Sequence, residues 1–302
     1  MGTPLFAVPI LEGLIENYNV VGVVSQPDKC VGRKRELVYT PIKEVACLHN
    51  IKVLQPETIK TDYQEILDLK PDMIVTCAYG QIIPKELLDY PEYGCINVHA
   101  SLLPKLRGGA PIQRAIINGL DETGITIMYM DTKMDNGDII EMSKTKITMD
   151  DDLESLHDRL SLMGRDLLLE TLPKIFLKQN KRIKQNENEV HFAYNIKRED
   201  EHIDFNKSAK EVYNKIRGLS PNPSAYVLLD GNEMKVYRSI MTDKKFTVVP
   251  GTITNVYKNG IGVMTGTYEV ILTEIKPFGK KRMLASSYVN GLHESLVGKV
   301  ME

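Results

Sequence analysis

Two polar side chains lie two residues apart at the end of an apolar run and could act together on a carbonyl group. The run Cys95–His99 reads CINVH, which we interpret as a buried strand closed by Asn97 and His99. Because side chains alternate along a strand, Asn97 and His99 point to the same side. An amide donor beside an imidazole suits a carbonyl that gains negative charge while an attacking group loses a proton. The alternative is that Asn97 caps a turn and His99 is an ordinary loop histidine, and for a lone pair at this spacing that is the commoner case.

A second polar cluster, DTKMDNGD, extends from Asp131 to Asp138 between two further apolar segments. Asp135 and Asp138 can be turn formers, since Asp and Asn-Gly favour turns, and composition alone favours this interpretation. A loop carboxylate near a histidine would instead orient the imidazole or take up a proton. The glycines at 108 and 109, which follow the strand end, would let the backbone approach such a site closely.

Neither a metal site nor a disulfide framework is indicated by the sequence. His99 is the one histidine in the proposed site, and HxxEH and DxDxDG spacings do not occur. The four cysteines contain no CxxC pair, which favours a reducing compartment, so we expect a cytoplasmic protein without bound metal. No uncharged apolar run approaches the ~20 residues that a membrane span needs, so we expect no membrane association.

The elements that must position these residues alternate between strand and helix, which predicts an α/β fold with an open, mostly parallel sheet. On such sheets ligands bind beyond the carboxyl ends of the strands, where Asn97 and His99 lie. The predicted strands are 19–25, 52–54, 72–77, 95–99, 123–131 and 138–147. The predicted helices are 4–17, 41–50, 61–69, 110–118 and 152–177.

The C-terminal third has a different pattern. After a predicted helix at 209–217, short strand-like segments separated by Gly-rich turns suggest a small barrel. Residues 206–302 carry 14 basic and 8 acidic residues, a net charge of +6, while the rest of the chain carries −8. A basic module on an acidic body could bind a polyanion, although +6 over this length is also within ordinary scatter.

The first residues already form a turn, MGTP, whereas a doubly wound domain opens with a strand. We therefore expect the sheet to lack a central strand of about five to seven residues. Such a gap leaves backbone groups unpaired on both neighbouring strands, each buried group costing ~1–3 kcal/mol. We expect the 302-residue chain to be poorly stable unless a longer start is used.

Residues 97–140, NVHASLLPKLRGGAPIQRAIINGLDETGITIMYMDTKMDNGDII, resemble the signature region of the methionyl-tRNA formyltransferase family. The NVHASLLP block alone would fit any formyltransferase that uses 10-formyltetrahydrofolate, including the glycinamide ribonucleotide and sugar-nucleotide branches. RGGAPIQ, the basic loop at 29–36 (KCVGRKRE) and the C-terminal blocks narrow the resemblance to the tRNA branch. The other similar blocks are MGTPLFAVPIL, VVSQPDK, GRKRE, AYGQIIP, IRGLSPNPSAY and KPFGKKRML.

The resemblance implies a reaction and roles for the site residues. The α-amine of initiator methionyl-tRNA would attack the formyl carbon of 10-formyltetrahydrofolate, the co-substrate. Asn97 would stabilise the oxyanion, His99 would transfer the proton, and Asp135 would position His99 and help to move the proton. These roles replace the interpretation of Asn97 and Asp135 as turn formers and of His99 as an ordinary loop histidine. The residues implied to line the folate site are Ser101, Leu102, Leu103 and Pro104.

The resemblance also implies the domain organisation. Residues 1–183 would form a Rossmann-like formyltransferase catalytic domain and residues 184–203 a linker. Residues 204–302 would form an OB-like β-barrel that binds tRNA, and we expect a monomer.

The same resemblance implies two groups of tRNA-binding residues. The basic loop that follows the first predicted strand would contact the acceptor stem through Arg33, supported by Lys34 and Arg35, although a solvated surface loop is the usual role of a charge run. The C-terminal module would contribute Lys280, Lys281 and Arg282.

Three positions depart from the family pattern. Leu5 stands where an acidic residue is usual, Asn136 replaces a Thr, and Asn222 replaces a Trp in a chain that has none. Two rival functions remain: a formyltransferase acting on a small amine or sugar nucleotide, and a non-catalytic RNA-binding protein. The joint presence of Asn97, His99 and Asp135 argues against the second, because RNA binding does not require them.

Overall fold

Helices form where apolar residues recur every three or four positions, and local side chains fix where they begin. The computed structural model describes residues 1–32 and 36–302. Thr40 caps one helix by accepting a hydrogen bond from the Lys43 N–H, and Pro41 takes its first position. The α-helices are α1 (Val8–Asn17), α2 (Pro41–Leu48), α3 (Gln64–Asp68), α4 (Lys85–Leu88), α5 (Pro111–Ile117), α6 (Leu153–Phe176), α7 (Arg198–Glu201), α8 (Ala209–Leu219) and α9 (Ala285–Asn290).

The strands follow the apolar runs, with one exception. A short antiparallel hairpin of β2 and β3 forms where the sequence suggested a long connection. The strands are β1 (Val23–Val24), β2 (Lys29–Val31), β3 (Glu36–Val38), β4 (Val53–Leu54), β5 (Ile74–Thr76), β6 (Cys95–His99), β7 (Glu122–Tyr129), β8 (Ile139–Lys146), β9 (Ala225–Leu229), β10 (Asn232–Met241), β11 (Ile253–Tyr257), β12 (Gly260–Met264), β13 (Glu269–Pro277) and β14 (Met283–Leu284).

The chain forms two compact units. The first comprises Met1–Pro111, Glu122–Lys146 and His157–Tyr194. The second comprises Ile112–Asp121, Ile147–Leu156 and Asn195–Glu302. Within the described residues, no helix is long and apolar enough to cross a membrane.

The first unit contains the expected parallel pairing, but it is divided between a two-stranded sheet and a four-stranded sheet that antiparallel strands extend. β1 pairs with β4 and β5 pairs with β6 in parallel, while β6, β7 and β8 pair antiparallel. In this register Ile96 lies opposite Tyr129, and His99 lies opposite Thr126. The β7–β8 loop therefore leaves the sheet beside Ile96, and any side chain of the loop that meets His99 must reach back along β6.

A cavity of about 420 Å³ separates β1 from β5. Met1 and Gly2 bridge the two strands at one end: the Gly2 N–H donates to Val24 O and the Cys77 N–H donates to Met1 O, both at 2.9 Å. Beyond Met1 the walls are mostly apolar, and they include Val20, Val21, Ile74, Leu172 and Phe176. Strands β1 and β5 lie on the two sides of this cavity.

The Met1 amino group lies at the edge of this cavity and donates to Val75 O at 2.6 Å. Burial lowers the pKa of this ammonium group from 8.0 to about 6. Between pH 6 and 8 the unfolded chain therefore binds more protons than the folded chain does, so stability rises with pH across this window.

Pairing of the two open strand edges should stabilise the first unit. We expect an extension of five apolar, β-branched residues ahead of Met1 to raise Tm by about 5 °C or more, because it would fill the cavity and complete the ladders on both sides. It should also remove the rise in stability between pH 6 and 8, because a peptide N–H would replace the ammonium group. Calorimetry at pH 6 and pH 8 measures both effects. An equal Tm for this extension and for a Gly/Ser extension of the same length would contradict the prediction.

The second unit is built on an antiparallel sheet with the strand order β11-β12-β13-β10-β9, to which β14 adds at β13. Buried apolar side chains of α8 and of the sheet form its core. Val300 bridges to Thr252 beside β11, and Met301 bridges to Leu229 of β9, so the chain end contacts both edges of the sheet.

Candidate active site

Asn97, His99 and Asp135 come together on the first unit. Asn97 Nδ2 lies 3.4 Å from Asp135 Oδ1, and His99 Nδ1 lies 3.7 Å from Asp135 Oδ2. His99 is only 6 % exposed, and Asn97 and Asp135 are partly exposed. The period-2 spacing at the end of β6 thus places the amide and the imidazole beside one loop carboxylate, which remains within reach of solvent.

The orientation of Asn97 is set by a neighbouring strand. The Thr76 hydroxyl, at the end of β5, lies 2.9 Å from Asn97 Oδ1 and can donate to it. Because the amide oxygen is occupied in this way, Nδ2 is the group turned toward Asp135 and is available as a donor to a substrate oxygen. Thr76 was not singled out in the sequence.

The two nitrogens of His99 have different partners. Nε2 lies 3.0 Å from Leu106 O, and a carbonyl oxygen only accepts, so Nε2 carries a proton. Nδ1 is then the nitrogen that can take up a proton, and it faces the Asp135 carboxylate. Their 3.7 Å separation is longer than a hydrogen bond, and such contacts commonly shorten when substrate binds.

Backbone geometry holds Asp135 in place. Its Oδ2 accepts a hydrogen bond of 2.8 Å from the Gly108 N–H. Asp135 has φ +49°, a left-handed conformation that Asp tolerates better than most residues. Gly108 has φ +123°, and a Cβ there would lie 2.7 Å from Ala193 O, so this position requires glycine.

Gln185 supports the loop that carries Asp135. No sequence pattern indicated this, because Gln185 lies in a polar stretch expected to be linker. Its Nε2 donates to Asp135 O at 2.8 Å and to Gly137 O at 2.9 Å. Arg107 Nε donates in turn to Gln185 Oε1 at 3.0 Å. These contacts hold the loop back along β6, as the sheet register requires.

Arg107 is a buried cation that connects the loop with the residues after Gln185. Its Nη1 donates to Asn136 Oδ1 at 3.0 Å, so the residue that departs from the family Thr is an acceptor in this network. Its Nη2 donates to Glu187 Oε1 at 2.9 Å, and this hydrogen bond holds the pKa of Glu187 below its usual range.

The residues expected to line the folate site differ in exposure. Ser101 is fully buried and donates to Lys105 O at 2.7 Å, and Leu103 is buried against Met128 and Ile139. Leu102 and Pro104 are partly exposed. A ligand could therefore contact Leu102 and Pro104 directly, whereas Ser101 and Leu103 shape the turn.

Only some of the expected tRNA-binding residues lie in the described part of the chain. Arg33, Lys34 and Arg35 lie outside the described residues. Lys280 and Lys281 are exposed on the second unit, with Lys280 Nζ 5.2 Å from the centre of the Tyr288 ring.

Arg282 is also exposed, but Glu274 engages it through two hydrogen bonds, of 2.6 and 3.0 Å. These bonds raise the pKa of Arg282 above its usual range, and the carboxylate partly neutralises its charge.

The other two departures from the family pattern lie at the surface, since the side chains of Leu5 and Asn222 are exposed. In the described part of the chain, no group of three or more His, Cys, Asp or Glu side chains is placed to hold a metal ion.

Comparison with known proteins agrees with this geometry. The family model for formyl transferase matches residues 1–172, and the model for the formyl transferase C-terminal domain matches residues 195–293. A solved structure of a sugar 3N-formyl transferase, WlaRD, aligns with a TM-score of 0.66 and 20 % identity, covering 93 % of this chain and 97 % of the other. The fold and the site thus define a formyl-transferring enzyme.

Closer relatives specify the branch. The methionyl-tRNA formyltransferase of Bacillus subtilis is 50 % identical over 297 residues, covering 97 % of this chain and 94 % of the relative. That of Staphylococcus epidermidis is 48 % identical over 305 residues, covering 100 % and 98 %. The chain belongs to the methionyl-tRNA formyltransferase family, as its signature region predicted.

Loss of the Gln185 amide should impair turnover more than binding. We expect Gln185→Ala to lower kcat at least ~10-fold, because Asp135 would no longer be held beside His99, and to leave the KM for the folate co-substrate nearly unchanged. Gln185→Glu should be at least as impaired, since a carboxylate cannot donate to the two carbonyls.

Gln179→Ala, at an exposed glutamine earlier in the same stretch, is the matched control. The pH profile of kcat separates positioning from simple stability, because a displaced Asp135 would change how turnover depends on pH, whereas a loss of stability alone would not. A kcat within twofold of wild type, with an unchanged pH profile, would show that Gln185 does not position the site.

Proposed function

We propose that the protein transfers the formyl group of 10-formyltetrahydrofolate to the α-amino group of initiator methionyl-tRNA, giving N-formylmethionyl-tRNA. The observation that carries the mechanism is the meeting of Asn97, His99 and Asp135 at the end of β6. An amide donor, a basic imidazole nitrogen and a carboxylate are the groups that acyl transfer to an amine requires.

Each group has one task in this scheme. Asn97 Nδ2 donates to the formyl oxygen, which becomes more negative as the amine attacks. The attacking nitrogen becomes positively charged, and its proton passes to His99 Nδ1. The resulting imidazolium is stabilised by the Asp135 carboxylate on one side and by Leu106 O at Nε2 on the other. The proton then returns to the departing folate nitrogen.

The remaining assignments extend the same proposal. The turn Ser101, Leu102, Leu103 and Pro104 would border the folate, with the two partly exposed members in contact with it. Residues 1–183 would be the catalytic domain, 184–203 the linker and 204–302 the tRNA-binding domain. The contact of the chain end with both edges of the C-terminal sheet supports an OB-like barrel. The enzyme would act as a monomer in the cytoplasm, where translation uses the product.

The proposed function is tested by incubating the wild-type chain with 10-formyltetrahydrofolate and methionyl-tRNA and measuring formyl transfer. Amino-sugar nucleotides and glycinamide ribonucleotide serve as competing acceptors. Transfer to one of these in place of methionyl-tRNA would support the rival formyltransferase function, and binding of tRNA without any transfer would support a non-catalytic one.

Substitution of the three converging side chains should abolish most of the turnover. We expect Asn97→Ala and His99→Ala each to lower kcat by at least ~10²-fold, as is typical of oxyanion and acid–base groups. Asp135→Asn is the informative change at the third position, because Asn also tolerates the left-handed backbone and removes only the charge. Thermal melting checks that the variants fold. Near-wild-type turnover of His99→Ala would exclude this mechanism.

The basic residues should contribute to tRNA binding in different ways. Neutralising Lys280 and Lys281 should reduce the salt dependence of tRNA binding by about 0.7–0.9 in log–log slope for each phosphate that the protein no longer neutralises. Arg282→Ala should have a smaller effect, because Glu274 already engages that guanidinium. Arg33→Ala should lower kcat/KM for methionyl-tRNA and leave folate binding unchanged. An unchanged salt slope in the lysine double variant would show that these lysines do not touch the RNA backbone.

A further inference from the structure

Two aromatic rings lie exposed on the first unit, close to the active site. The side chains of Phe192 and Tyr194 are 51 % and 69 % exposed. Their planes are inclined by only 16°, with the ring centres 5.7 Å apart, so the two rings form an offset stack at the surface. Large aromatic side chains that are exposed beside a site are suited to stacking on a flat ligand.

Backbone hydrogen bonds fix this pair relative to the catalytic groups. Between the rings, the Ala193 N–H donates to Arg107 O at 2.7 Å, and Ala193 O accepts from the Ala110 N–H at 3.1 Å. Gly108 lies between these two partners and donates to Asp135. Side chains on either side of one extended residue point the same way, so both rings lie on one face of this short ladder. Gly108, whose N–H holds the proposed catalytic carboxylate, belongs to the opposite segment of the same ladder.

The proposed substrate carries a flat base close to its reacting amine. In an aminoacyl-tRNA the reacting amine is joined through an ester to the terminal ribose, so the last base lies a few bonds from the formyl carbon. Bases at a single-stranded end are unpaired, and proteins bind such bases mainly by stacking them on aromatic side chains. Lys181 and Lys184, exposed earlier in the same segment, supply positive charge for the adjoining phosphates.

We propose that Phe192 and Tyr194 form a stacking platform for an unpaired base at the acceptor end of the tRNA. The platform anchors that end beside Gly108, so that the esterified amine reaches the formyl group at Asn97 and His99. This inference rests on the proposed function and extends it by naming the surface that holds the 3′ end.

A tryptophan placed in the platform would report stacking directly. The chain contains no Trp, so in Phe192→Trp all tryptophan emission comes from this position. We expect uncharged tRNA to quench this emission, and a tRNA lacking its unpaired 3′ nucleotides to leave it unchanged while still binding, as measured by filter retention. Equal emission with and without saturating intact tRNA would overturn the proposal.

Kinetics with two acceptors provide the second test. For methionyl-tRNA we expect Phe192→Ala and Tyr194→Ala each to lower kcat/KM about 10- to 100-fold, the range for removal of one base stack, and Phe192→Tyr to restore it. For methionine methyl ester, an amine ester without a base, kcat/KM should stay at the wild-type value. Tyr90→Ala, at an exposed tyrosine outside the site, is the matched control and should change neither.

The outcomes separate the two proposals. Wild-type enzyme that formylates neither acceptor would refute the proposed function. Wild-type enzyme that formylates methionyl-tRNA, with alanine variants that are unimpaired or equally impaired on both acceptors, would refute the stacking platform alone.

Discussion

The proposed active site depends on the hydrogen bond between the Asp135 carboxylate and the Gly108 N–H. The β7–β8 loop leaves the sheet beside Ile96, so Asp135 reaches His99 only if the loop folds back along β6. This one constraint explains the left-handed backbone of Asp135 and the bracing of the loop carbonyls by Gln185, while glycine at 108 is required by its φ of +123° and by the close approach of Ala193 O. Gln185, although it lies beyond the expected domain boundary at 183, therefore helps to hold the loop that carries Asp135.

The same arrangement provides the electrostatics that the reaction needs. The Asp135 carboxylate accepts from a backbone N–H and lies close to an amide donor, so its two oxygens are held in place. It thus offers a fixed negative charge beside His99 Nδ1 before the proton arrives. Because Leu106 O already orients the ring through Nε2, little reorganisation is required when the imidazolium forms.

Sequence reasoning predicted the parts of the site that depend on local pattern. Alternation along β6 placed Asn97 and His99 together, whereas the role of Asp135 came from the family resemblance, because its approach depends on a loop folding back. Gln185 could not be found, since a side-chain bond to a carbonyl 50 residues away leaves no periodic signal. The predicted strand at 19–25 is reduced to Val23–Val24, because the cavity leaves its first residues without a neighbouring strand on that side. The short hairpin of β2 and β3 also lacked a clear apolar pattern.

The selectivity of the enzyme for its acceptor must come from outside the three catalytic groups. The fold is shared with a sugar 3N-formyl transferase at 20 % identity. The three groups proposed here act at the formyl carbon, which is the same whatever amine attacks it. Discrimination therefore requires contacts with the part of the substrate that carries the amine. On the first unit, the 183–194 segment is suited to this task, because it braces Asp135 through Gln185 and presents two aromatic rings to solvent. A substrate end bound there would be aligned with the catalytic carboxylate by the same backbone ladder.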